Sequence, residues 1–446
     1  MQIEFVGHSS VVFRDGPVHL LCDPWLTGAI FDDGWGLLSE PVFGADDFSS
    51  ITHIWYSHEH PDHFSPKTLE MIPADVRKRI TVLFHHSKDR KIIRHCSQLG
   101  FAAVQELPLA QWVNLAPGFD LLCDTWEGSD DSWLLVRTPE MKILDLNDCQ
   151  INSRAQAESV HQQAGDVDIL LTQFSISAWD GNPEDLPRRQ AGADAMLRRT
   201  VMQTQILRAR HVIPFASFVW FCHEENGFMN ECLTDVGLVE ATLREQTDAQ
   251  PVILYPGDRW EAGASIDSSS AIARYRADVA TLPGRPRTKS EPVELDDLFA
   301  AAEKFARRLQ ADQPPWKLRL RAVKSHLRHL RRQHADAPLY GAMRSLWALI
   351  TLRSRPARIW LTDHRTSLEY GLDTGLRASG RTREDCDIEL SSSALHYALK
   401  FLWGGESLHI NGRFREIYPD GRRILFEHLW TACSLNHEEG APAGGL

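Results

Sequence analysis

Six consecutive residues, His58-Glu59-His60-Pro61-Asp62-His63, constrain this chain more than any other stretch. They crowd three imidazoles and the Asp62 carboxylate into one short segment. Just upstream, Ile51-Thr52-His53-Ile54-Trp55-Tyr56 is rich in β-branched and aromatic residues and reads as a strand. Just downstream, Ser65-Pro66 reads as a helix N-cap followed by proline at the first helical position. The motif therefore sits on a strand-to-helix loop. His58 and His60 are two residues apart, so they share a face where strand geometry persists and can chelate one metal ion. Asp62 and His63, beyond the proline, can point at a second ion nearby. Packing alone accounts poorly for three histidines at this spacing around an aspartate, and a site for two metals is expected.

The length of 446 residues exceeds one ordinary domain, and two are expected. Residues 1–285 alternate short apolar strands (3–13, 19–22, 80–84, 133–136, 143–146, 168–172, 212–215) with turn signals and a few helices. The chain is rich in Ser, Ala, Pro and Gly over 263–291. A helix is expected at 265–273, and Pro283-Gly284-Arg285-Pro286 reads as a linker. Residues 290–446 form the second expected unit, a helical and α+β accessory module. It has a helix over 295–309, a basic helix over 317–332, strands at 359–361 and 367–370, and a helix over 392–403.

The basic helix holds seven Lys or Arg and no acid, with Leu318, Val323, Leu327 and Leu330 spaced as an apolar stripe. It reads either as a solvated face over a core stripe or as a dock for an anionic substrate or acidic redox partner. The histidines of this module show no clustered chelating motif. The module is expected to shape a substrate entrance or a homo-oligomer contact, without a second catalytic centre.

A net charge of −12 argues against nucleic acid as a partner. The eight cysteines form no Cys-x-x-Cys pair and are scattered like buried reduced thiols. The first residues show no secretory pattern, and no apolar run is long enough to span a bilayer. A cytoplasmic protein is expected.

The His58–His63 pattern resembles the signature of the metallo-β-lactamase superfamily. That resemblance implies an α/β (α+β) fold, a four-layer αββα sandwich with its site at one edge of the two sheets, here followed by the C-terminal module. It also implies further ligands at later strand ends. Asp148 would bridge both ions, with Asp145 as an alternative inside the strand. His223 would be the last ligand of the second ion. The remaining ligand of the first ion is a histidine in hydrolases of the superfamily, but no histidine occurs here between His95 and His161. Glu127 occupies that place, with Asp130 and Asp131 as competitors. A carboxylate in place of an imidazole makes the site harder and favours iron or manganese over zinc.

Three further runs resemble the metallo-β-lactamase portion of the CMP-N-acetylneuraminate hydroxylases: Phe5-Val6-Gly7-His8-Ser9-Ser10, Cys22-Asp23-Pro24-Trp25-Leu26-Thr27-Gly28 and Gly34-Trp35-Gly36-Leu37-Leu38-Ser39-Glu40-Pro41. Residues 143–149, Pro214-Phe215-Ala216 and Pro256-Gly257 do so too. The tail around Leu402-Trp403 and 408–413 is weakly similar. Two departures stand out. The paired Cys-x-His ligands of that family's Rieske domain are missing from this sequence. Glu127 replaces the family's histidine, as is similar to the diiron β-hydroxylases of non-ribosomal peptide pathways.

The resemblance implies a diiron oxygenase acting on a small polar metabolite, with electrons from a separate ferredoxin or reductase. His58, His60 and Glu127 would hold one iron and Asp62, His63 and His223 the other. Asp148 would be shared, and Asp62 and Asp148 would be catalytic. The rival is a hydrolase of an ester, lactone, amide or phosphodiester. In it the metals polarise the substrate and lower the pKa of a bridging water to about 7, while Asp62 orients that water. Trp179-Asp180-Gly181-Asn182 and Phe218-Val219-Trp220-Phe221 line the entrance or belong to the core.

Overall fold

The computed structural model describes residues 1–87, 90–126, 131–333, 343, 346, 355–401, 403–418 and 421–429. The first strands are β1 (Gln2–Gly7), β2 (Ser10–Asp15), β3 (Val18–Cys22), β4 (Trp35–Leu37), β5 (His53–Tyr56), β6 (Thr81–His85) and β7 (Ala103–Leu107). Next come β8 (Gln111–Ala116), β9 (Phe119–Thr125), β10 (Ser132–Arg137), β11 (Lys142–Asp145), β12 (Ile169–Gln173), β13 (His211–Phe215), β14 (Val219–Phe221), β15 (Gln250–Pro251) and β16 (Arg259–Glu261). Fourteen of them build two mixed seven-stranded sheets, ordered β16-β1-β2-β3-β5-β6-β7 and β15-β13-β12-β11-β10-β9-β8, and β4 pairs with β14 in a two-stranded sheet. In each seven-stranded sheet, an antiparallel half meets a parallel half, at β3 and at β11 respectively.

Strand periodicity explains the layering, because successive side chains point to opposite faces. Phe5, Val11, Phe13, Leu20, Cys22, Trp55 and Leu83 face the second sheet and pack with Leu121, Leu134, Val136 and Ile143. Their neighbours Val6, Val12, Leu21, Ile54, Tyr56, Val82 and Phe84 face outward, onto Leu69, Ile72, Ile92 and Cys96 of the covering helices. Helices Arg154–Ala164, Leu186–Ile206 and Val236–Gln246 back the second sheet. The result is the expected four-layer sandwich. The apolar run 3–13 is a hairpin, however, broken at His8-Ser9 between β1 and β2. The helix expected at 265–273 runs Ser269–Thr281, and that expected at 392–403 ends at Lys400.

The later strands β17 (Ala357–Leu361), β18 (Thr366–Gly371), β19 (Gly375–Ser379), β20 (Ile388–Leu390) and β21 (Arg415–Glu416) form a separate five-stranded sheet, ordered β19-β18-β17-β20-β21. Helices Leu295–Asp312, Ser392–Lys400 and Gly404–Asn411 accompany it. The basic helix spans Pro315–Gln333 and buries Leu318, Ala322 and Val323. Among the described residues, no helix is long and apolar enough to cross a membrane.

One apolar cluster runs across both parts of the chain. Trp25, Phe31, Trp35, Trp179 and Phe221 pack with Leu298, Leu395, Leu408, Phe414 and Phe426. Polar groups pin the same boundary. The fully buried Arg413 guanidinium donates to Glu225 Oε2 at 2.7 Å, to Asp32 Oδ2 at 2.5 Å, to the Asp32 carbonyl at 2.9 Å and to Ser393 Oγ at 2.8 Å. Asn411 donates to the Phe31 carbonyl, and Asn226 donates to the carbonyls of both Gly34 and Asn411. Removing the cation strands two carboxylates. Arg413→Ala is expected to cost about 3 kcal/mol, at the lower end for a broken buried pair because both partners keep some solvent. A urea midpoint equal to wild type would refute this.

Candidate metal centre

The motif loop follows β5 and is folded back by local hydrogen bonds. The backbone N–H groups of His63 and Phe64 both donate to the His60 carbonyl, at 3.0 and 2.7 Å. Ser65 then caps helix Pro66–Met71 by accepting from the Thr68 N–H, as its sequence suggests. This tight turn carries Asp62 and His63 round beside His58.

The base of the loop is held by Asp23, a fully buried residue just past β3. Its Oδ1 accepts from the Ser57 N–H at 2.7 Å, and its Oδ2 accepts from Ser57 Oγ at 2.6 Å. The same Oδ2 lies 2.8 Å from His63 Nδ1. The second sheet is stitched to this point, since Ser132 donates to the Ser57 carbonyl and Asn147 donates to the Ser132 carbonyl. Asp148 thereby stands over the motif.

Two groups of ligand-capable side chains result, the atoms of each within 4.8 Å of one another: His58, His60 and Asp148, and His8, Asp62 and His63. In the first, His58 Nε2 lies 2.9 Å from His60 Nδ1 and 3.9 Å from Asp148 Oδ1. In the second, Asp62 Oδ2 lies 3.3 Å from both His63 Nε2 and His8 Nε2. The other Asp148 oxygen, Oδ2, lies 3.5 Å from His63 Nε2. Asp148 thus presents one oxygen to each group. His63 Nε2, Asp62 Oδ1 and Asp148 Oδ1 are buried and have no hydrogen-bond partner. Each such group costs roughly 1–3 kcal/mol when left unsatisfied. Converging orphan acceptors of this kind suit divalent cations, so the residues present fit a metal pair.

The backbone is strained at the same end of the sandwich. His8, Asp23, Asn147 and Ala216, all next to strand ends, have φ of +28°, +42°, +40° and +44°. Non-glycine residues adopt this region at a cost, and it concentrates at functional sites. The Ala216 N–H donates to the His8 carbonyl at 3.0 Å, tying two of these corners together.

Electrostatics follow the geometry. Burial opposes a charged His60, but the nearby Glu406 carboxylate, with Asp131 and Asp62 behind, pushes its imidazole up to about 10. Burial also opposes a charged His63, yet the carboxylates of Asp62, Asp148 and Asp23 raise it well above its usual value. His58 is lowered by burial and then by the charge of His63. Asp62 and Asp148 are held below the usual carboxylate range, burial being outweighed chiefly by His63.

The structure brings together five of the seven expected ligands, His58, His60, Asp62, His63 and Asp148. Asp145, the alternative to Asp148, is buried at the end of β11, with Oδ1 accepting from the Asn147 N–H. Glu127 and Asp130 lie outside the described residues. Asp131 follows that stretch, and its charge raises both His58 and His60. His223 falls in neither group. It forms an isolated bridge with Thr288, its Nε2 lies 3.2 Å from Ser290 Oγ, and its Nδ1 accepts from the Glu225 N–H. His8 is the imidazole beside Asp62 instead. Sequence reasoning passed over His8 as a ligand-capable neighbour of Asp62 and Asp23 as the support of the loop. Both were present in the runs Gly7-His8-Ser9-Ser10 and Cys22-Asp23-Pro24.

Metal ligation requires neutral imidazoles, so loading displaces protons. His60 is raised from 6.5 to about 10, and His63 is raised as well. The stability these charged histidines lend the metal-free protein is complete below about 6.5 and is lost as pH rises through the raised values. Metal affinity is therefore expected to climb with pH between about 6.5 and 10. Titration calorimetry at pH 7.5 in buffers of different ionisation enthalpy should record proton release. Heats independent of buffer would contradict the expectation.

Residues 2–174 match the model of the β-lactamase superfamily domain. Cytidine monophosphate-N-acetylneuraminic acid hydroxylase of Mus musculus is 24% identical over 277 residues, covering 60% of this chain and 48% of that protein. The chain spans about half the length, or less, of the curated relatives it matches. Similar solved structures include CmlA, a diiron β-hydroxylase from Streptomyces venezuelae, at 18% identity and a TM-score of 0.41 over 58% of this chain and 53% of that one. They also include the isothiocyanate hydrolase from Delia radicum gut bacteria, at 16% identity and a TM-score of 0.42 over 58% of this chain and 98% of that one. With the two-sheet sandwich and the His58–His63 loop at its edge, the match shows that the chain carries a β-lactamase superfamily domain over residues 2–174 and has the metallo-β-lactamase fold.

Proposed function

We propose that the chain is a dinuclear metal enzyme, an iron-dependent oxygenase that hydroxylates a small polar metabolite. The observation that carries the dinuclear reading is Asp148, whose two oxygens face the two ligand groups. His58, His60 and Glu127 would hold the first ion. Asp62 and His63 would hold the second, with His8 in the role expected of His223. Asp148 would serve both.

Two features favour iron. The Glu127 carboxylate in place of an imidazole makes the first position harder. The charge of Asp131, felt at His58 and His60, adds to the anionic field at that position. When bound, the ion pair supplies the activation of O₂ with electrons from outside the site. The same reading assigns electron delivery to a separate ferredoxin or reductase. The chain's own residues orient the ligands, exclude water through the buried Asp23–Ser57–His63 base, and keep Asp62 and Asp148 ionised. The division into a catalytic unit over 1–285 and an accessory unit over 290–446 belongs to the same proposal. So does a reducing cytoplasm, in keeping with the seven buried free thiols among the described residues.

One observation favours the hydrolase reading. Asp62 Oδ1 is buried without a hydrogen-bond partner and can accept from a nucleophilic water. The two readings separate on metal and oxygen. Protein purified without added metal is expected to hold two ions roughly 3–4 Å apart by anomalous scattering, with iron predominating. It should consume O₂ when reduced. Glu127→His should shift retention toward zinc and abolish O₂ uptake while the fold is kept. A single ion per chain would sink the dinuclear reading, and a zinc pair indifferent to O₂ would favour the hydrolase.

A further inference from the structure

The metal ligands are supported from behind, and one support comes from the distant C-terminal module. A metal-bound histidine uses one ring nitrogen for the ion, and the partner of the other nitrogen fixes its tautomer and aim. For His58 the outer nitrogen, Nδ1, lies 2.9 Å from Ser57 Oγ. For His63 it is Nδ1 again, 2.8 Å from Asp23 Oδ2. His60 is turned the other way, with Nδ1 toward His58 Nε2 and the first ligand group. Its outer nitrogen, Nε2, lies 3.7 Å from Glu406 Oε1. Glu406 stands in the first turn of helix Gly404–Asn411, whereas Ser57 and Asp23 belong to the sandwich.

That helix start is fixed tightly enough for the contact to be built in. A Cβ on Gly404 would meet the Ala398 backbone at 2.6 Å, and one on Gly405 would meet Leu429 Cβ at 2.5 Å. Lys91 Nζ lies 5.6 Å from the Trp403 ring and 3.7 Å from Glu59 Oε2, so a second tether joins the helix start to the motif loop. Beyond the helix, Asn411 and Arg413 anchor its far end to residues 31–34 and 225–226. A free surface ion pair would contribute little. Here the partner is a ligand-group imidazole whose opposite nitrogen already faces His58.

Resting on the dinuclear reading, we infer that Glu406 is a positioning residue of the metal centre. From the C-terminal module it holds His60 in the Nε2–H tautomer and leaves Nδ1 for the first ion, so that the first metal position is complete only when the module is docked.

The test uses the full chain with Glu406→Ala, Glu406→Gln and the remote surface control Glu303→Ala, loaded anaerobically with Co(II) or Fe(II) by chelator competition. Glu406→Ala is expected to weaken the first ion about 10–100-fold and leave the second unchanged. Glu406→Gln should recover part of the loss, because its amide oxygen still accepts from Nε2–H. In the Co(II) form, proton NMR should show a shifted exchangeable imidazole N–H that is lost in Glu406→Ala and kept in Glu406→Gln. Wild-type protein that takes up two ions, with Glu406→Ala keeping both at wild-type affinity, overturns this inference alone. So does equal weakening of both ions without relief by glutamine, the behaviour of a general loss of structure. Wild-type protein that takes up no ion on His58 and His60 overturns the dinuclear reading with it.

Discussion

A single buried carboxylate, Asp23, organises the site. Taking a carboxylate out of water costs several kcal/mol unless donors replace the solvent. Asp23 has the Ser57 N–H, the Ser57 hydroxyl and the His63 imidazole within 2.8 Å. Each contact fixes a different part of the loop: where it leaves the sheet, the rotamer at its first residue, and the ring of its last histidine. The field of Asp23 also reaches its neighbours. With burial as the larger cause, it raises Asp145 and contributes to raising Cys22 well above their ordinary values. The buried Asp145 is thus raised while Asp148 is held below the usual carboxylate range, which separates the preferred bridging carboxylate from its alternative inside the strand.

The sandwich turns this local order into a two-part site. β5 delivers the histidine loop and β11 delivers Asp148, both at the carboxyl ends of strands in the parallel halves of the two sheets. The β1–β2 turn adds His8 through a strained corner. Convergence of these ends depends on the interlocked faces of Trp55, Leu83, Leu134 and Ile143 between the sheets.

The C-terminal module is joined to this framework by more than proximity. A continuous apolar cluster, a buried arginine shared by Asp32 and Glu225, and amide contacts around Asn411 and Asn226 tie it to the loops near the site. An interface both apolar and tied by a buried ion pair resists the relative motion that weak polar contacts between domains permit. The module can therefore hold a carboxylate against His60.

Much was legible in the residues alone, and the reasons differ by element. Strand alternation at Phe5-Val6, Val11-Val12 and Trp55-Tyr56 reports the two faces of a sheet because side-chain period follows backbone geometry. The Ser65-Pro66 cap is likewise a local matter, as is the chelating spacing of His58, His60, Asp62 and His63. Other parts depend on contacts between residues far apart. The apolar run 3–13 carries no strong turn signal beyond Gly7, so its break at His8 followed only from the pairing of β1 with β2. His223 and His8 are both single histidines without a local motif, and only the packing of strand ends put His8 beside Asp62 and turned His223 toward Ser290. The sequence by itself determined the sheet pattern, the cap and the metal-seeking hexapeptide, since each is encoded within a few bonds. The tertiary structure alone decided which distant carboxylates and imidazoles, Asp23, Asp148, His8 and Glu406, surround it, because those positions are set by how two sheets and a third module bury their apolar faces against one another.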